Sequence, residues 1–518
     1  MVDLLPDQLR LMASAYPDEV AYRNLGDGSS ITFGRWERES NRLAHGLQAK
    51  GVRKGDLVAI DLEAEQILDF IVTYSAVHKI GAVSVPMNNR LSPPEMRSIL
   101  EHAEVTAVVC SGAFEDAVAP LSASLASLTV VATVGPSQHG RFADLEDVKS
   151  EDAAAIQVPI DETDLADVMY TSGTTGMPKG VAVRHGNITL LPSALPSWNG
   201  LKWLTATPVF TFAGLGFIYN PMKLGMTVLC LPKFDAGRWL DIVKQERPVI
   251  AFVVPAMARL LIHHSEFDSA DLSSLKRLIL GSAPLSPDTV KRLQARLPGA
   301  AVLNSYGMTE GGHATFSMDP EGARTRPGAV GRSTPPVEVR IVGDEGQVLP
   351  TGEVGEVITR NPRGHREYYR NPEATERMWE GGWLHTDDLG HLDADGYLYI
   401  VGRKKEMVVR GGMNVYADDV EAVLQAHPEV VEAAVVGIPH EVLGEDIAAY
   451  VVLRPGATVS TAELQGFAGE RLADYKVPRH VHYLPALPRN PGGKVLKSQL
   501  AGAPDRDQQR RGFAGPQI

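Results

Sequence analysis

Between residues 31 and 231, amphipathic helical patterns alternate with short apolar runs, and this alternation constrains the fold more than any other feature of the sequence. Residues 36–50 and 65–80 have helical periodicity, whereas residues 57–60 and 81–85 are short apolar runs. Such alternation is typical of helices packed on largely parallel sheets. Because 518 residues exceed one ordinary core, we expect an α/β fold with a large N-terminal body of stacked α/β subdomains.

The pattern changes in the second half of the chain. After Pro336, short strands with Gly-rich turns replace the alternation, which predicts a β-rich subdomain within the body. An apolar strand at residues 397–401 then runs into a charged segment, where we expect a hinge. The last quarter has the pattern of a small α+β domain, with predicted helices at residues 418–425 and 461–473. The predicted division of the chain is a body at residues 1–402, a hinge at 403–406 and a C-terminal domain at 407–518.

Charge and cysteine content argue against several classes of function. The formal net charge of -13 disfavours a general nucleic-acid or membrane-binding surface, because such surfaces need clustered Lys and Arg. Cys110 and Cys230 both lie in apolar stretches, so we interpret them as core residues, and two cysteines argue against a zinc site. The N-terminal segment lacks the apolar centre of a secretory signal, and no segment has the roughly 20 apolar residues that span a bilayer. We therefore expect a cytoplasmic protein.

A loop rich in glycine and hydroxyl groups lies between apolar runs at residues 167–170 and 181–183. It consists of Thr171, Ser172, Gly173, Thr174, Thr175, Gly176, Met177, Pro178, Lys179 and Gly180. Its glycines let backbone N–H groups turn toward an anion, its hydroxyls can donate, and Lys179 supplies a positive charge. The loop therefore predicts a polyphosphate site, the alternative being an ordinary hairpin loop. It is not a Walker P-loop, because no Gly-Lys-Ser/Thr closes it and a strand rather than a helix follows.

The segment Tyr-Thr-Ser-Gly-Thr-Thr-Gly-Met-Pro-Lys-Gly at residues 170–180 resembles the signature of the adenylate-forming superfamily, which includes acyl-CoA synthetases, adenylation domains and firefly luciferase. Further matches follow in the family's order: Gly281-Ser282-Ala283-Pro284, Tyr306-Gly307-Met308-Thr309-Glu310, Thr386-Asp387-Asp388-Leu389, Gly402-Arg403, Pro488 and Gly493-Lys494. The resemblance extends over nearly the whole chain. It implies an AMP-dependent acid:CoA ligase that uses ATP, CoA and Mg²⁺, with a small-molecule carboxylic acid as substrate and a mobile C-terminal domain.

The resemblance implies chemistry in two steps. A carboxylate attacks the α-phosphate of ATP and expels pyrophosphate, and the CoA thiol then attacks the acyl-adenylate and expels AMP. Because the first step joins two anions, the site must supply positive charge. Lys494 matches the family's catalytic lysine, a solvated surface lysine being the alternative. By the same resemblance Thr309 contacts phosphate, Glu310 holds Mg²⁺ unless it merely caps a turn, and Lys179 contributes to catalysis.

Nucleotide-binding residues are also implied by the resemblance. Tyr306 is expected to stack on adenine, and Asp388 and Arg403 to hold the ribose hydroxyls, since a carboxylate is a good acceptor for a vicinal diol. The full set expected to bind ATP or AMP is Thr171, Ser172, Gly173, Thr174, Thr175, Gly176, Gly281, Ser282, Ala283, Pro284, Asn304, Ser305, Tyr306, Gly307, Asp388 and Arg403.

Residues 208–214 resemble the family's acyl-pocket motif. Thr211 stands where many aryl- and fatty-acid ligases have His and where amino-acid-activating relatives have Asp. An α-amino acid would therefore lack a partner for its ammonium group, and burying an unpaired charge is costly. We expect a bulky hydrophobic acid that is aromatic, alicyclic or medium-chain. The predicted acyl pocket consists of Phe210, Thr211, Phe212, Gly214, Gly307, Met308, His313 and Ala314.

The resemblance also implies residues that serve the movement of the C-terminal domain. Lys405 falls at the family's hinge position, where one residue absorbs the domain rotation between the half-reactions. Gly411 and Gly412 resemble the segment that lines the CoA tunnel, where glycines let a thin arm pass close to the backbone, although a tight turn is an equally simple explanation. Asp387 stands where the family usually has Gly, so its carboxylate adds negative potential and could slow adenylation.

Three hypotheses of function remain. The first is an AMP-forming carboxylic acid:CoA ligase. The second is an acyl-adenylate enzyme that delivers to a carrier-protein thiol, or one that performs mainly the thioesterification step. The third is a degenerate ATP- or acyl-binding regulator, against which the presence of Lys494, Glu310 and the complete loop argues. The sequence leaves a homodimer open.

Overall fold

Four β-sheets with helices packed against them form the fold of the computed structural model, which describes residues 4–135, 137–140, 142–171, 179–188, 195–283, 285–312, 316–489 and 494–501. The helices are α1 (Leu5–Ala15), α2 (Phe33–Ala49), α3 (Ile67–Lys79), α4 (Pro93–Ala103), α5 (Glu115–Ser124), α6 (Leu145–Val148), α7 (Phe212–Lys223), α8 (Ala236–Glu246), α9 (Pro255–Ile262), α10 (Pro287–Arg296), α11 (Pro320–Thr325), α12 (Pro372–Met378), α13 (Ala417–Gln425), α14 (Thr461–Gly469) and α15 (Lys497–Ala501).

The strands divide among the sheets in chain order. They are β1 (Val20–Asn24), β2 (Ser30–Thr32), β3 (Leu57–Asp61), β4 (Val83–Pro86), β5 (Ala107–Ser111), β6 (Val130–Val134), β7 (Ala143–Asp144), β8 (Leu165–Thr171), β9 (Lys179–Arg184), β10 (Lys202–Thr205), β11 (Thr227–Cys230), β12 (Ile250–Val253), β13 (Arg277–Leu280), β14 (Ala301–Asn304), β15 (Phe316–Ser317), β16 (Ala329–Ser333), β17 (Glu338–Val342), β18 (Gly355–Arg360), β19 (Glu367–Tyr368), β20 (Trp379–Glu380), β21 (Trp383–Leu392), β22 (Tyr397–Arg403), β23 (Val408–Arg410), β24 (Met413–Val415), β25 (Val430–His440), β26 (Gly444–Leu453) and β27 (His480–Tyr483).

Two largely parallel sheets form the N-terminal body, as predicted from the alternation. One has the order β19-β9-β8-β4-β3-β5-β6-β7 and the other β14-β13-β12-β10-β11-β1-β2. Only the pairings at β2, β9 and β19 are antiparallel in these two sheets. Every residue of β3 and of β5 is buried, which explains why these strands are continuous apolar runs rather than alternating patterns.

The β-rich subdomain and the C-terminal α+β domain are also present as expected. An antiparallel sheet of order β15-β16-β22-β21-β18-β17, with β20 beside β21, follows the parallel sheets. The C-terminal sheet has the order β24-β23-β26-β25, with β27 parallel to β26. Helices α13 and α14 contribute to the apolar core of this small domain through buried residues such as Val420 and Leu464. The α/β fold class is therefore confirmed, with a large N-terminal body and a smaller C-terminal domain.

One helix is shorter than the sequence predicts. The helix expected at residues 461–473 ends at Gly469, and residues 474–476 form a separate 3₁₀ turn. Apolar residues continue at helical spacing through Leu472, which is why the pattern extends too far. Glycine is a poor helix former and a common point of termination, so the helix ends there although the spacing continues.

The junction between the β-rich sheet and the C-terminal sheet is short. Strand β22 ends at Arg403, residues Lys404–Glu406 form one 3₁₀ turn, and β23 begins at Val408. The boundaries predicted at residues 402, 403 and 407 fall within this junction, and the division into independent domains stays a prediction.

Both cysteines are buried, in agreement with their interpretation as core residues, and burial raises the pKa of each thiol to about 12. Within the described ranges, no helix has the length and apolar character needed to cross a membrane. Nor does this part of the chain contain a cluster of three or more His, Cys, Asp or Glu side chains placed to hold a metal ion.

Candidate active site

A cavity of about 2120 Å³ lies where the carboxyl ends of the parallel strands meet the antiparallel sheet and the C-terminal domain. Strands β10, β12, β13 and β14 run parallel, so the segments that follow them emerge at one edge of their sheet. These segments bring the predicted residues Gly281, Ser282, Ser305 and Tyr306 to the cavity wall. The wall also includes Thr171, Lys179, Gly307, Met308, Thr309, Glu310, Arg403 and Lys494.

Asp388, Arg403 and Tyr306 form a compact polar group beside this cavity. Strands β21 and β22 pair Asp388 directly with Arg403, and Nε of Arg403 lies 3.0 Å from Oδ1 of Asp388. The hydroxyl of Tyr306 donates to Oδ2 of the same carboxylate at 2.7 Å. Burial raises the pKa of Asp388, while the positive charge of Arg403 opposes this shift. The carboxylate is thus held in place by two donors, although its sequence neighbours give no sign of the contact with Tyr306.

Lys494 is half-buried in the cavity wall and belongs to the same electrostatic group. Burial lowers its pKa, the neighbouring Arg403 lowers it further, and the carboxylates of Glu406 and Asp388 act in the opposite direction. A long ammonium side chain that enters the cavity from the C-terminal domain therefore meets the residues of the antiparallel sheet. Its side chain thus brings a positive charge to the cavity wall, and its catalytic role stays a prediction.

Thr309 and Glu310 lie in a 3₁₀ turn, Thr309–Gly311, at the cavity wall. The hydroxyl of Tyr368 donates to Oε1 of Glu310 at 3.2 Å. The ammonium group of Lys179 lies 5.0 Å from the centre of the Tyr368 ring. Because Lys179 is the first residue of β9, the end of the predicted phosphate loop and the Glu310 turn meet at the side chain of Tyr368.

Arg366 holds this turn from behind and is not evident in the sequence as a site residue. Only 2% of Arg366 is exposed, and in the described part of the chain no carboxylate lies within ion-pair distance of it. Its guanidinium donates to the carbonyl oxygens of Thr309 at 2.8 Å and Asn187 at 2.6 Å. It also lies 5.2 Å from the ring centre of Phe212. One buried cation therefore connects the Glu310 turn, the segment after β9 and Phe212 of the predicted acyl pocket.

Thr211 has a structural role at the start of α7. Its hydroxyl donates to the carbonyl oxygen of Pro208 at 2.7 Å and accepts from the N–H of Gly214 at 3.0 Å, which makes it the N-cap of the helix. Gly214 packs against backbone, because a Cβ there would lie 2.0 Å from the carbonyl oxygen of Pro208. The cap places Phe210 and Phe212 on the cavity wall.

The part of the cavity that contains the predicted acyl-pocket residues is larger than the motif at residues 208–214 indicates. Beyond Phe210, Thr211, Phe212, Gly307 and Met308, it includes side chains from α7 and from the sheet beneath it. These are Trp203, Ala213, Phe217, Asn220, Ile250, Phe252, Val254, Arg277 and Ile279. Sequence reasoning missed them because only strand register and helix packing show that they share one cavity.

The predicted hinge residue, Lys405, is ion-paired with Asp387, its Nζ lying 2.8 Å from Oδ2. Asp387 has a φ of 58°, in the left-handed region that favours glycine. The backbone therefore keeps the conformation that suits the usual glycine, and the added carboxylate faces a lysine. This pairing compensates the extra negative charge on which the expectation of slower adenylation was based.

Lys497 anchors the segment that carries Lys494. Its Nζ lies 2.8 Å from Oε2 of Glu406, 2.8 Å from Oε1 of Glu421 and 3.7 Å from Oδ1 of Asp418. Burial raises the pKa values of Glu421 and Asp418, and the surrounding carboxylates raise the pKa of Lys497. This buried group ties α15 to α13 and to the 3₁₀ turn at the junction.

Contacts with α9 hold the C-terminal domain against the body. Arg259 lies 3.4 Å from Glu432 of β25, and Arg454 donates to Nδ1 of His263 at 2.9 Å. In this arrangement Gly411 and Gly412, with φ values of 58° and 82°, form the exposed turn between β23 and β24. They do not belong to the described lining of the cavity.

Several predicted residues lie elsewhere. Asn304 donates from its side-chain amide to the carbonyl oxygen of Gly328 at 3.3 Å. Four of the residues predicted to bind the nucleotide or the acyl group are described but are not part of the cavity lining: Gly214, Ala283, Asn304 and Asp388. The following predicted residues lie outside the described part of the chain: Ser172, Gly173, Thr174, Thr175, Gly176, Pro284, His313 and Ala314. The strands on either side of the phosphate loop, β8 and β9, are antiparallel, which confirms the strand-to-strand setting.

Comparison with known proteins gives consistent matches along the chain. A family model described as AMP-binding enzyme matches residues 9–369, and one described as AMP-binding enzyme C-terminal domain matches residues 419–494. A feruloyl-CoA synthase of Amycolatopsis sp is 35% identical over 482 residues, covering 91% of this chain and 94% of that protein. A fatty acid–[acyl-carrier-protein] ligase of Streptomyces coeruleorubidus is 34% identical over 492 residues, covering 92% of each chain. The crystal structure of an anthranilate CoA ligase in complex with anthranoyl-AMP superposes with a TM-score of 0.85 at 25% identity, covering 96% of each chain.

Proposed function

The chain belongs to the family of AMP-binding enzymes, and from that membership we infer how its cavity converts a hydrophobic carboxylic acid into an acyl-adenylate and then into a CoA thioester. It is an AMP-forming acid:CoA ligase, as its similarity to CoA ligases of aromatic and fatty acids over nine-tenths of the chain shows. The observation that carries the assignment of residues is the entry of Lys494 into the cavity beside Asp388 and Arg403.

Lys494 is the catalytic residue of the first step. One oxygen of the carboxylate substrate attacks the α-phosphorus of ATP, the bond to the bridging oxygen breaks, and pyrophosphate leaves. Both reactants are anions, so their approach needs compensating charge fixed in advance. The ammonium of Lys494 supplies it from the C-terminal side, and Lys179 supplies a second charge from the end of the phosphate loop.

The nucleotide occupies the part of the cavity formed by the antiparallel sheet and the segments after β13 and β14. Asp388 and Arg403 bind the ribose hydroxyls, because the carboxylate accepts from a diol while the guanidinium donates to it. Tyr306 contacts adenine with its ring, and its hydroxyl fixes the carboxylate of Asp388. Gly281 and Ser282 border the base on the side of β13.

Glu310 fits the Mg²⁺ that accompanies ATP. A carboxylate at the cavity wall, combined with phosphate oxygens, is the kind of ligand set that Mg²⁺ prefers. When bound, the ion withdraws charge from the phosphate oxygens and so favours departure of pyrophosphate. Tyr368 orients the Glu310 carboxylate by its hydrogen bond, and the neighbouring Thr309 hydroxyl is available to phosphate.

The second step requires Lys494 to leave and CoA to enter. The sulfur of CoA attacks the carbonyl carbon of the mixed anhydride, the carbon–oxygen bond to phosphate breaks, and AMP leaves. Rotation about Lys405 would separate Arg259 from Glu432 and bring the turn at Gly411 and Gly412 toward the cavity. Glycines at this turn leave room for the pantetheine arm beside the backbone.

The acid is hydrophobic, and its class follows from the wall of the acyl pocket. Phe210, Phe212, Phe217 and Phe252 supply aromatic surface, and the hydroxyl of Thr211 is already engaged by the helix cap. No carboxylate is available at Thr211 for an α-ammonium group. An aromatic, alicyclic or medium-chain acid fits this wall.

A carrier-protein thiol is the alternative acceptor, and one comparison supports it. The 34% identical relative from Streptomyces coeruleorubidus is a ligase of fatty acids and acyl-carrier protein. The same pantetheine arm is the reactive group of CoA and of a carrier protein, so the residues assigned above serve either acceptor. We place the reaction in the cytoplasm, where ATP and CoA are available.

Two assays on one set of acids test these proposals. Acid-dependent exchange between ATP and pyrophosphate reports adenylation, and thioester formation with CoA or with a carrier protein that has a free pantetheine thiol reports transfer. Exchange together with CoA thioester supports the ligase, whereas exchange without CoA thioester supports carrier delivery. Thioester from supplied acyl-adenylate, without exchange, assigns the enzyme to the second step alone. Absence of every activity over aromatic, alicyclic and fatty acids would contradict the catalytic proposal.

A further inference from the structure

Two lysines that stand three residues apart, Lys494 and Lys497, line the same cavity. Glu406, from the 3₁₀ turn at the junction, lines it as well. The backbone between the lysines is fixed, because the N–H of Leu496 donates to the carbonyl oxygen of Pro488 at 2.8 Å. The position of one lysine therefore constrains the position of the other.

Lys497 is surrounded by more negative charge than one ammonium group can neutralise. Glu406 and Glu421 each have an oxygen 2.8 Å from its Nζ, and Asp418 has one at 3.7 Å. Only 15% of the Lys497 side chain is exposed, so solvent screens this group weakly. Three carboxyl groups around one cation favour a second cation nearby, or a proton on one of the carboxyl groups.

The three carboxyl groups differ in their surroundings. Burial raises the pKa values of Asp418 and Glu421. Burial acts in the same direction on Glu406, but neighbouring positive charges, first that of Lys497, outweigh it and lower its pKa. Of these three described residues, only Glu406 belongs to the cavity lining. The carboxylate that keeps its negative charge is thus the one at the cavity.

Lys494 shares the cavity wall with another cation, Arg403. Burial lowers the pKa of Lys494, and the charges of Arg403 and Lys497 lower it further. The carboxylates of Glu406 and Asp388 act in the opposite direction. Asp388 is already engaged by Arg403, whose Nε lies 3.0 Å from Oδ1. Glu406 is therefore the main carboxylate that offsets the repulsion between the two cations.

We propose that Glu406 is a positioning residue of adenylation, whose carboxylate, held at the cavity wall by Lys497, fixes the ammonium group of Lys494 in the cavity. The inference rests on the proposed function and deepens it, since it adds a residue that acts through Lys494. Glu406 directly follows the predicted hinge residue Lys405, so rotation there would carry Glu406 and both lysines away from the body together. Glu406 thus serves the first half-reaction and has no part in the second.

Glu406→Gln tests the proposal, because it removes the charge and keeps the size of the side chain. Pyrophosphate exchange should fall at least about tenfold in kcat, since the ammonium group is no longer fixed beside the reacting groups. KM for ATP and for the acid should change less than about threefold, because the residues that bind them are unaltered. Thioester formation from supplied acyl-adenylate should keep the wild-type rate.

Glu421→Gln is the matched control. It also removes a carboxylate 2.8 Å from Nζ of Lys497, but one that stands on α13 and does not line the cavity. Its rate of pyrophosphate exchange should stay within about twofold of wild type. An equal fall in Glu406→Gln and Glu421→Gln would assign the effect to the buried group as a whole and overturn the proposal.

Lys497→Met tests the support that Lys497 gives to Glu406. It should lower exchange about as much as Glu406→Gln does, and the double variant should lose little more than either single variant, because both changes remove one arrangement. Additive losses would contradict this coupling. If Lys497→Met unfolds because it leaves buried carboxylates unpaired, the comparison of Glu406→Gln with Glu421→Gln decides the question.

The ionisation of Lys494 provides a test that needs no turnover. Trace labelling with acetic anhydride over a range of pH, measured at Lys494 by mass spectrometry, reports the pH at which this amine loses its proton. Because Glu406 favours the charged form, Lys494 should become reactive at a lower pH in Glu406→Gln than in wild type. Glu421→Gln should match the wild type.

Exchange and labelling together separate this inference from the proposed function. If no acid gives exchange but the labelling of Lys494 shifts in Glu406→Gln alone, the placement of Glu406 stands and the catalytic proposal fails. If exchange and labelling are both unchanged in Glu406→Gln, the inference is overturned and the ligase assignment is unaffected. In an active enzyme, a loss of exchange without a shift in labelling, or a shift without a loss, also overturns it.

Discussion

Nζ of Lys405 lies 2.8 Å from Oδ2 of Asp387, so the predicted hinge residue is paired with the residue that replaces the family's usual glycine. The two side chains are 59% and 49% exposed, which limits the strength of the pair to about 1 kcal/mol or less. A weak contact at a predicted hinge still matters, because about 1.4 kcal/mol changes the ratio of two conformations tenfold.

Replacing Asp387 with Gly should shift the balance between the half-reactions. The substitution removes the pair and suits the backbone, since glycine adopts a φ of 58° without strain. We expect CoA-thioester formation from supplied acyl-adenylate to rise relative to pyrophosphate exchange, by less than about fivefold. Both rates are measured on the same preparation.

Lys405→Ala is the matched control for this prediction. It removes the same ion pair from the other side, so it should change the ratio of the two rates in the same direction. A ratio that changes in Asp387→Gly but not in Lys405→Ala would assign the effect to the backbone at Asp387 rather than to the pair.

Lys494→Ala should abolish most adenylation and spare thioester transfer. Removing a charge fixed next to the reacting phosphate typically costs about 100-fold or more in rate. Pyrophosphate exchange should therefore fall by about that factor, whereas supplied acyl-adenylate should still form thioester at close to the wild-type rate. Lys244→Ala, on the exposed side of α8, is the control, and an equal loss in both half-reactions would contradict the role given to Lys494.

The pH dependence of adenylation should reflect the same lysine. Burial lowers the pKa of Lys494, so its ammonium loses the proton at a lower pH than an ordinary lysine does. The charged form is the active one, and kcat/KM for pyrophosphate exchange should therefore decline on the alkaline side below the ordinary lysine range. Lys494→Arg, which stays charged, should remove this decline. An alkaline limb that is unchanged in Lys494→Arg would assign the titration to another group.

The fold could be predicted from the sequence because the apolar residues of strands and of helices follow different, recognisable patterns. Strands β3 and β5 are short apolar runs in which every residue is buried, whereas α2, before β3, and α3, after it, have helical spacing. The loop at residues 171–180 could be placed between strands because apolar patterns flank it. The end of α14 could not be predicted, because apolar spacing continued past Gly469.

The predicted residues of the site come from motifs that are local in sequence, such as 306–310. Contacts between distant residues leave no such mark. Arg366 stands in a polar segment, where arginine is ordinarily exposed, and only the fold buries it against Thr309, 57 residues away. Likewise, strand register aligns Trp203, Ile250 and Arg277 across one sheet, and no single strand specifies that register.

A buried carboxylate outside the cavity should give the enzyme a measurable pH dependence of stability. Both oxygens of Asp61, at the end of β3, are buried without a hydrogen-bond partner in the described part of the chain. Burial raises the pKa of Asp61 to about 7, whereas the pKa of an Asp side chain in an unfolded chain is about 3.9. Between these values the folded state holds a proton that the unfolded state has lost, so stability falls as pH rises through this window.

Asp61→Asn should therefore flatten the dependence of Tm on pH between about 4 and 7, because the amide does not ionise. Its Tm relative to wild type should increase steadily as the pH rises across this window. Asp147→Asn, an exposed position before the end of α6, is the control and should follow wild type. Parallel curves for wild type and Asp61→Asn would show that the pKa of Asp61 in the folded state is not raised above its value in the unfolded state.

Arg366→Met should impair adenylation more than it impairs folding. The substitution leaves the carbonyl oxygens of Thr309 and Asn187 without their donor, which costs about 1–3 kcal/mol for each buried group, but it also removes a buried cation that has no carboxylate partner among the described residues. These two effects on the free energy of unfolding oppose each other. The turn that carries Glu310, in contrast, loses the donor that fixes its position, and nothing compensates this loss. We expect pyrophosphate exchange to fall at least about tenfold with a modest change in Tm. Arg366→Lys, which keeps a charged donor, should restore part of the activity. If Arg366→Met instead lowers Tm strongly but has full activity at temperatures below its Tm, the role of Arg366 is structural only.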